Sequence, residues 1–75
     1  MEAIVNYDGE DFLCRYFFDV DKQEEGIEVY YLGNKLIGTI YDLLLPDESD
    51  AEEVEDFNQA INMWLAMQDG NYLLG

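Results

Sequence analysis

Apolar and polar residues alternate along the first two thirds of this chain, and the period then changes. "MEAIVNY" and "DFLCRYFFDV" flank Asp8-Gly9, a dipeptide in which both residues tolerate positive φ and so favour a two-residue hairpin turn. Such a turn sets Val5 opposite Phe12, Ala3 opposite Cys14, Ile4 opposite Leu13 and Glu2 opposite Arg15. After a polar connection, "DKQEEG", the segment "GIEVYYLGNKLIGTIYDL" predicts a second hairpin about Gly33-Asn34. There Tyr31 is expected to face Leu36, Val29 to face Gly38 and Ile27 to face Ile40, with Tyr30 and Ile37 sharing the other face. Gly38 leaves a gap suited to close packing by a helix or an aromatic ring.

"LLLPDESD" is expected to end the strands, because Pro46 cannot continue a ladder, and to start a helix, because Ser49 followed by Glu52 matches a capping box. Val54, Phe57, Ile61, Trp64 and Leu65 then recur at three- and four-residue spacing, which predicts one apolar face on a helix from about Asp50 to Gln68. Gly70 stands where a left-handed cap would end it. The whole reads as a single α+β domain over residues 1–75: a four-stranded antiparallel meander of two hairpins, with one C-terminal amphipathic helix packed on one face.

One helix covers one face of a sheet. If Phe12, Cys14, Tyr16 and Phe18 point toward it, then Leu13 and Phe17 point away, as do Ile4, Tyr30 and Ile37. The uncovered face would carry an apolar patch of the kind found at a homodimer interface or docking surface, unless the final "NYLLG" folds back over part of it.

Composition changes the picture through charge. The chain has 75 residues and is 49% hydrophobic, far too apolar for a disordered acidic tail, yet 18 acids stand against Arg15, Lys22 and Lys35 for a formal charge of −15. Such an imbalance repels nucleic acid and anionic membrane and attracts basic surfaces. Seven of the acids, Asp47, Glu48, Asp50, Glu52, Glu53, Glu55 and Asp56, fall in the ten residues after Pro46. The helix dipole favours acids in the first turns by about 0.3–1 kcal/mol each. That accounts for two or three of them, and not for Asp47, Glu48 and Asp50 as well. Asp8, Glu10, Asp11, Asp19, Asp21, Glu24 and Glu25, expected largely in turns, extend the negative surface.

Chemistry of other kinds finds little support. Without histidine the chain assembles no Ser-His-Asp or Cys-His group and no common zinc spacing, and it has no phosphate-cradling glycine loop, so no catalytic residue, metal ligand or cofactor is assigned. "DVDKQEEG" is the nearest calcium-loop pattern, but Glu24 and Tyr30 stand where glycine and the bidentate glutamate are needed. Cys14, alone in an apolar strand, reads as a buried structural thiol. No apolar run approaches the roughly 20 residues that span a bilayer, and no secretory signal is recognisable. The expected compartment is the cytoplasm, that of a host if the chain is phage-encoded.

Carboxylates stacked on a helix can imitate a phosphate backbone. Residues four apart, such as Glu48 and Glu52 or Glu52 and Asp56, rise about 6 Å along a helix that includes both. Phosphates on one strand advance about 3.4 Å per step while also winding around the axis. In size, acidity and α+β pattern the whole chain resembles the small acidic inhibitors encoded by phages and mobile elements: anti-CRISPR proteins, anti-restriction proteins and inhibitors of uracil-DNA glycosylase. The resemblance rests on no aligned motif and carries over no functional residue. It implies a stoichiometric inhibitor of a basic nucleic-acid-binding protein or complex. The competing expectation is an acidic module, such as an immunity protein, antitoxin or adaptor, that masks a basic partner without mimicking nucleic acid. A mimic should show acids in rows at phosphate-like intervals, and an ordinary partner a hydrophobic centre ringed by acids.

Overall fold

The computed structural model describes residues 2–31 and 34–68. Within them the chain runs β1 (Glu2–Tyr7), β2 (Glu10–Asp19), β3 (Glu24–Tyr31), β4 (Lys35–Tyr41) and α1 (Ala51–Met67). The strands form one antiparallel sheet in the order β1-β2-β3-β4, the expected meander. Asp8 and Gly9 take φ of 52° and 81°, the pair of positive values that matches a tight turn to the twist of its strands. The first hairpin therefore has the predicted register, Val5 against Phe12 and Glu2 against Arg15. Arg15 Nε lies 3.2 Å from Glu2 Oε2, a half-exposed pair of small energetic weight.

Three local expectations change. Glu24 and Glu25 belong to β3, opposite Asp19 and Phe18, because the β2–β3 ladder continues almost to its turn. Gln23 closes that turn at φ 53°, and Asp19 Oδ1 accepts from the Lys22 backbone N–H at 3.1 Å. In the second hairpin Val29 pairs with Gly38 and Ile27 with Ile40 as predicted, but Tyr30 pairs with Leu36 and Tyr31 with Lys35. The register shifts between Val29 and Tyr30, leaving Ile37 as the extra residue of a β-bulge. The bulge turns Ile37 from the outer face, where simple alternation puts it, to pack against the core. Half of the expected Gly33-Asn34 turn, together with Gly70 and "NYLLG", lies outside the described residues. Finally, β4 stops at Tyr41, ahead of Pro46: Asp42 adopts φ 61°, and Leu43–Pro46 run on as a strap.

The core is one layer between sheet and helix. Phe57, Ile61 and Leu65, spaced four apart, bury one stripe of α1 against Val5, Phe12, Cys14, Ile27 and Val29. Each fully buried side chain of this size contributes about 1.5–3 kcal/mol. Leu43 and Leu45 of the strap pack against the edge of this cluster. The gap at Gly38 is filled by the Trp64 ring: a Cβ there would lie 2.9 Å from Trp64 Cζ2. Trp64 itself is half-buried. Tyr16 and Phe18, on the helix side by alternation, are 40% and 50% exposed. They sit where the β2–β3 hairpin projects past the pairing with β1, the strand that α1 lies nearest.

Asp50, and not Ser49, caps the helix. Its carboxylate accepts from the Glu52 and Glu53 backbone N–H groups at 3.0 and 3.2 Å. Ser49 turns back to Asp47, donating its hydroxyl at 2.7 Å and its N–H at 3.0 Å to one oxygen. Glu53 reaches back in turn to accept from the Asp47 N–H at 3.0 Å. Asp50→Ala is expected to lower stability by about 1 kcal/mol in chemical denaturation, and Ser49→Ala by less than about 0.5 kcal/mol. Trp64→Ala should destabilise by about 2–4 kcal/mol, short of a fully buried tryptophan, whereas Gly38→Val should displace the ring and quench or shift its fluorescence.

Candidate functional site

The strap that follows β4 creates an extended concave region. It crosses one end of the sheet toward the start of α1, and three adjoining hollows follow it. The first, about 500 Å³, is lined by Phe18, Gln23, Glu24, Glu25, Asp42 and Leu44. Leu44 also lines the second, about 330 Å³, with Leu43, Leu45, Pro46, Glu53, Asp56 and Phe57. Leu45, Pro46 and Glu53 continue into the third, about 680 Å³, with Glu2, Ala3, Asp47 and Glu48. Shared walls make these a continuous belt of carboxylates around a leucine-proline ridge. None of the described cations lines it.

Local structure fixes one of these acids in its charged form. The Ser49 hydroxyl, followed by its backbone N–H, holds the Asp47 carboxyl below the usual carboxylate range. Glu25 accepts from Tyr16 Oη at 3.1 Å, a bond that pushes the Tyr16 phenol up and keeps it protonated. Away from the belt, Asp19 is lowered chiefly by the Lys22 N–H and also by Tyr41, whose hydroxyl donates to it at 3.0 Å. Lys22 Nζ stands 4.3 Å above the Tyr41 ring.

The acids singled out from sequence do not form a single patch. Asp47, Glu48, Glu53, Asp56, Glu24 and Glu25 line the belt. Asp50 spends its carboxylate on the helix cap, and Glu52 and Glu55 are exposed on α1 without lining a hollow. Since α1 begins at Ala51, the 6 Å helical spacing applies to Glu52 and Asp56 but not to Glu48 and Glu52. Asp8 occupies the β1–β2 turn, while Glu10 and Asp11, expected in a turn, open β2 opposite Tyr7 and Asn6; all three are separated from Glu24 and Glu25 by the length of β2, roughly 30 Å. That is several times the screening length of about 8 Å at physiological salt, so the two groups do not act as one field. Sequence reasoning assigned Glu2 only to Arg15 and passed over Asp42. Their place in the belt depends on the path of the strap, which no local pattern encodes.

Among the described residues no three His, Cys, Asp or Glu side chains are grouped to hold a metal ion, and no helix is long and apolar enough to cross a membrane. Cys14 is buried and free, and burial pushes its thiol up to about 12. At pH 8 only about one molecule in ten thousand would carry the thiolate, the reactive species. Labelling with a thiol-reactive disulfide reagent at that pH is expected to be very slow in the native protein and fast once denaturant exposes Cys14. Comparison with protein-family models, with curated proteins and with solved structures gives no match to this chain.

Proposed function

We propose that this chain is a non-catalytic acidic inhibitor that occupies the basic nucleic-acid-binding site of a partner protein, as an anti-CRISPR or other DNA-mimic protein does. The observation that carries this reading is the continuity of the belt from Glu24 and Glu25 through Asp42, Asp56 and Glu53 to Asp47, Glu48 and Glu2. Carboxylates within a screening length of their neighbours add their fields, and a cation-lined cleft built for phosphate responds to sign and spacing. Association driven this way is fast and weakens with salt.

A second reading has its own support. Leu44, 59% exposed, and Phe18 lie inside the belt, so part of it is an apolar centre ringed by acids. That anatomy fits an acidic module masking a basic protein through a hydrophobic anchor.

Competition separates the two. A basic protein captured by this chain from a nuclease-treated lysate should lose DNA or RNA binding in proportion to occupancy, with the two ligands excluding each other. A captured partner that holds both at once would exclude the inhibitor reading in favour of the masking module. Glu48→Lys with Asp56→Lys is expected to weaken capture by about tenfold or more, or 1.4 kcal/mol, with the fold retained. Glu10→Lys with Asp11→Lys, the same charge change at the far turn, should alter it by less than about threefold at physiological salt. Equal loss from both pairs would show that net charge, and not the belt, drives binding.

A further inference from the structure

We infer that the open edge of β1 takes an extended, basic segment of the partner protein as an added strand of the sheet. The inference rests on the reading of the belt for the partner's charge, and on the ladder for the mode of contact. The two-residue turn at Asp8-Gly9 makes Tyr7 and Glu10 a hydrogen-bonded pair, and alternation then gives Val5 and Ala3 to the ladder with Phe12 and Cys14. Glu2, Ile4 and Asn6 are left with backbone N–H and C=O groups directed away from β2. Among the described residues, neither the strap nor α1 makes a backbone hydrogen bond to this edge. Ile4, in its middle, is 61% exposed, and Asn6 is exposed as well.

The sheet has a second edge, and the two are built differently. Edges that stay unpaired are blunted by lysine, a bulge or proline. β4 has the first two of these, since Lys35 begins it and Ile37 bulges from it. β1 has none, and runs in unbroken register from Glu2 to Tyr7. Charge separates the edges in the same sense. Two of the three cations stand by β4, Lys35 at its start and Lys22 over the Tyr41 ring at its end. The third, Arg15, is paired with Glu2. Beyond that pair, Asp47, Glu48 and Glu53 converge on the hollow that Glu2 and Ala3 help to line at the start of β1. An uncharged length of edge ending on three acids fits a segment that pairs along Ile4 and sets its basic residues in the hollow. A second copy fits badly: antiparallel pairing of β1 with itself would bring Asp8 and Asp11 of one copy toward the acids at the other's Glu2 end. Sign attracts the partner to this edge, and the backbone ladder then fixes its direction and register.

Amide hydrogen exchange tests the inference, followed residue by residue by NMR on the full-length chain with and without a synthetic peptide of alternating valine and threonine ending in arginines. Strand addition has an alternating signature. Exchange at Ile4 and Asn6 should slow by about tenfold or more, while Ala3, Val5 and Tyr7, already in the ladder, change little. Glutamates in place of the peptide's arginines should abolish the effect. Ile4→Pro removes an edge N–H that the ladder does not use, so the fold is retained, and it should weaken capture of a basic protein by about tenfold. Ile4→Thr, which keeps that N–H, should alter capture by less than about threefold. If Ile4→Pro fails to fold, the wild-type chain carries the test with peptides N-methylated on one or the other set of alternate amides: one set should cost about tenfold in binding and the other little. Absent or uniform protection along β1 overturns the inference, as does a folded Ile4→Pro that captures as the wild type does. The belt reading then still stands if Glu48→Lys with Asp56→Lys weakens capture. Alternate protection that appears in the chain alone, with a doubled mass in light scattering, overturns the inference in favour of a second copy. Alternate protection by a captured protein that keeps its nucleic acid upholds strand addition and removes the inhibitor reading.

Discussion

Everything in this molecule depends on one contact layer, the seating of Phe57, Ile61 and Leu65 on the sheet side chains Val5, Phe12, Cys14, Ile27 and Val29. A domain this small buries only about 60% of the surface its unfolded chain exposes, so a single apolar layer must offset chain entropy and the mutual repulsion of 18 carboxylates. The Trp64 ring over Gly38 completes that layer on β4 at the far edge of the sheet, where any larger residue would hold the ring off. The Ile37 bulge adds another apolar side chain to the same layer.

The acidic belt is a consequence of how this layer is closed. The strap Leu43–Pro46 carries the chain from the end of β4 to the start of α1, anchoring Leu43 and Leu45 at the core while Leu44 stays in solvent. Asp47, Ser49, Asp50 and Glu53 then form a hydrogen-bonded bend that turns the chain into the helix. Part of the acidic run is therefore structural, since Asp50 caps and Glu53 ties down Asp47. Glu48 and Asp56 make no such bond among the described residues, and their charge is available to a partner. The molecule thus has two faces of different character, a negative belt along one end and an apolar row on the back of the sheet.

How much of this could be read from the chain follows from the range of the forces involved. The Asp8-Gly9 turn, the register of the first hairpin, the apolar stripe of α1 and the vacancy at Gly38 were all legible, because each is set by residues within a turn or by a strict side-chain period. The cap was misplaced by one residue: Ser49 and Asp50 are both good caps, and the choice falls to Asp50 because Asp47 engages the Ser49 hydroxyl. The bulge was invisible for a related reason. Alternation assigns Ile37 to the outer face, and only the core beneath it rewards breaking the pattern.

The sequence by itself determined the element order, the hairpin pairing, the sidedness of the helix and the sign of the surface, since local backbone preference, residue period and formal charge need no distant partner. Tertiary structure alone decided which acids stand together. It grouped Glu24 and Glu25 with Asp47, Glu48 and Asp56, admitted Glu2 and Asp42, and left Asp8, Glu10 and Asp11 at the opposite end. The physical reason is that electrostatic fields combine through space over a screening length, while distance along the chain says nothing about separation once a strap and a helix have crossed the sheet.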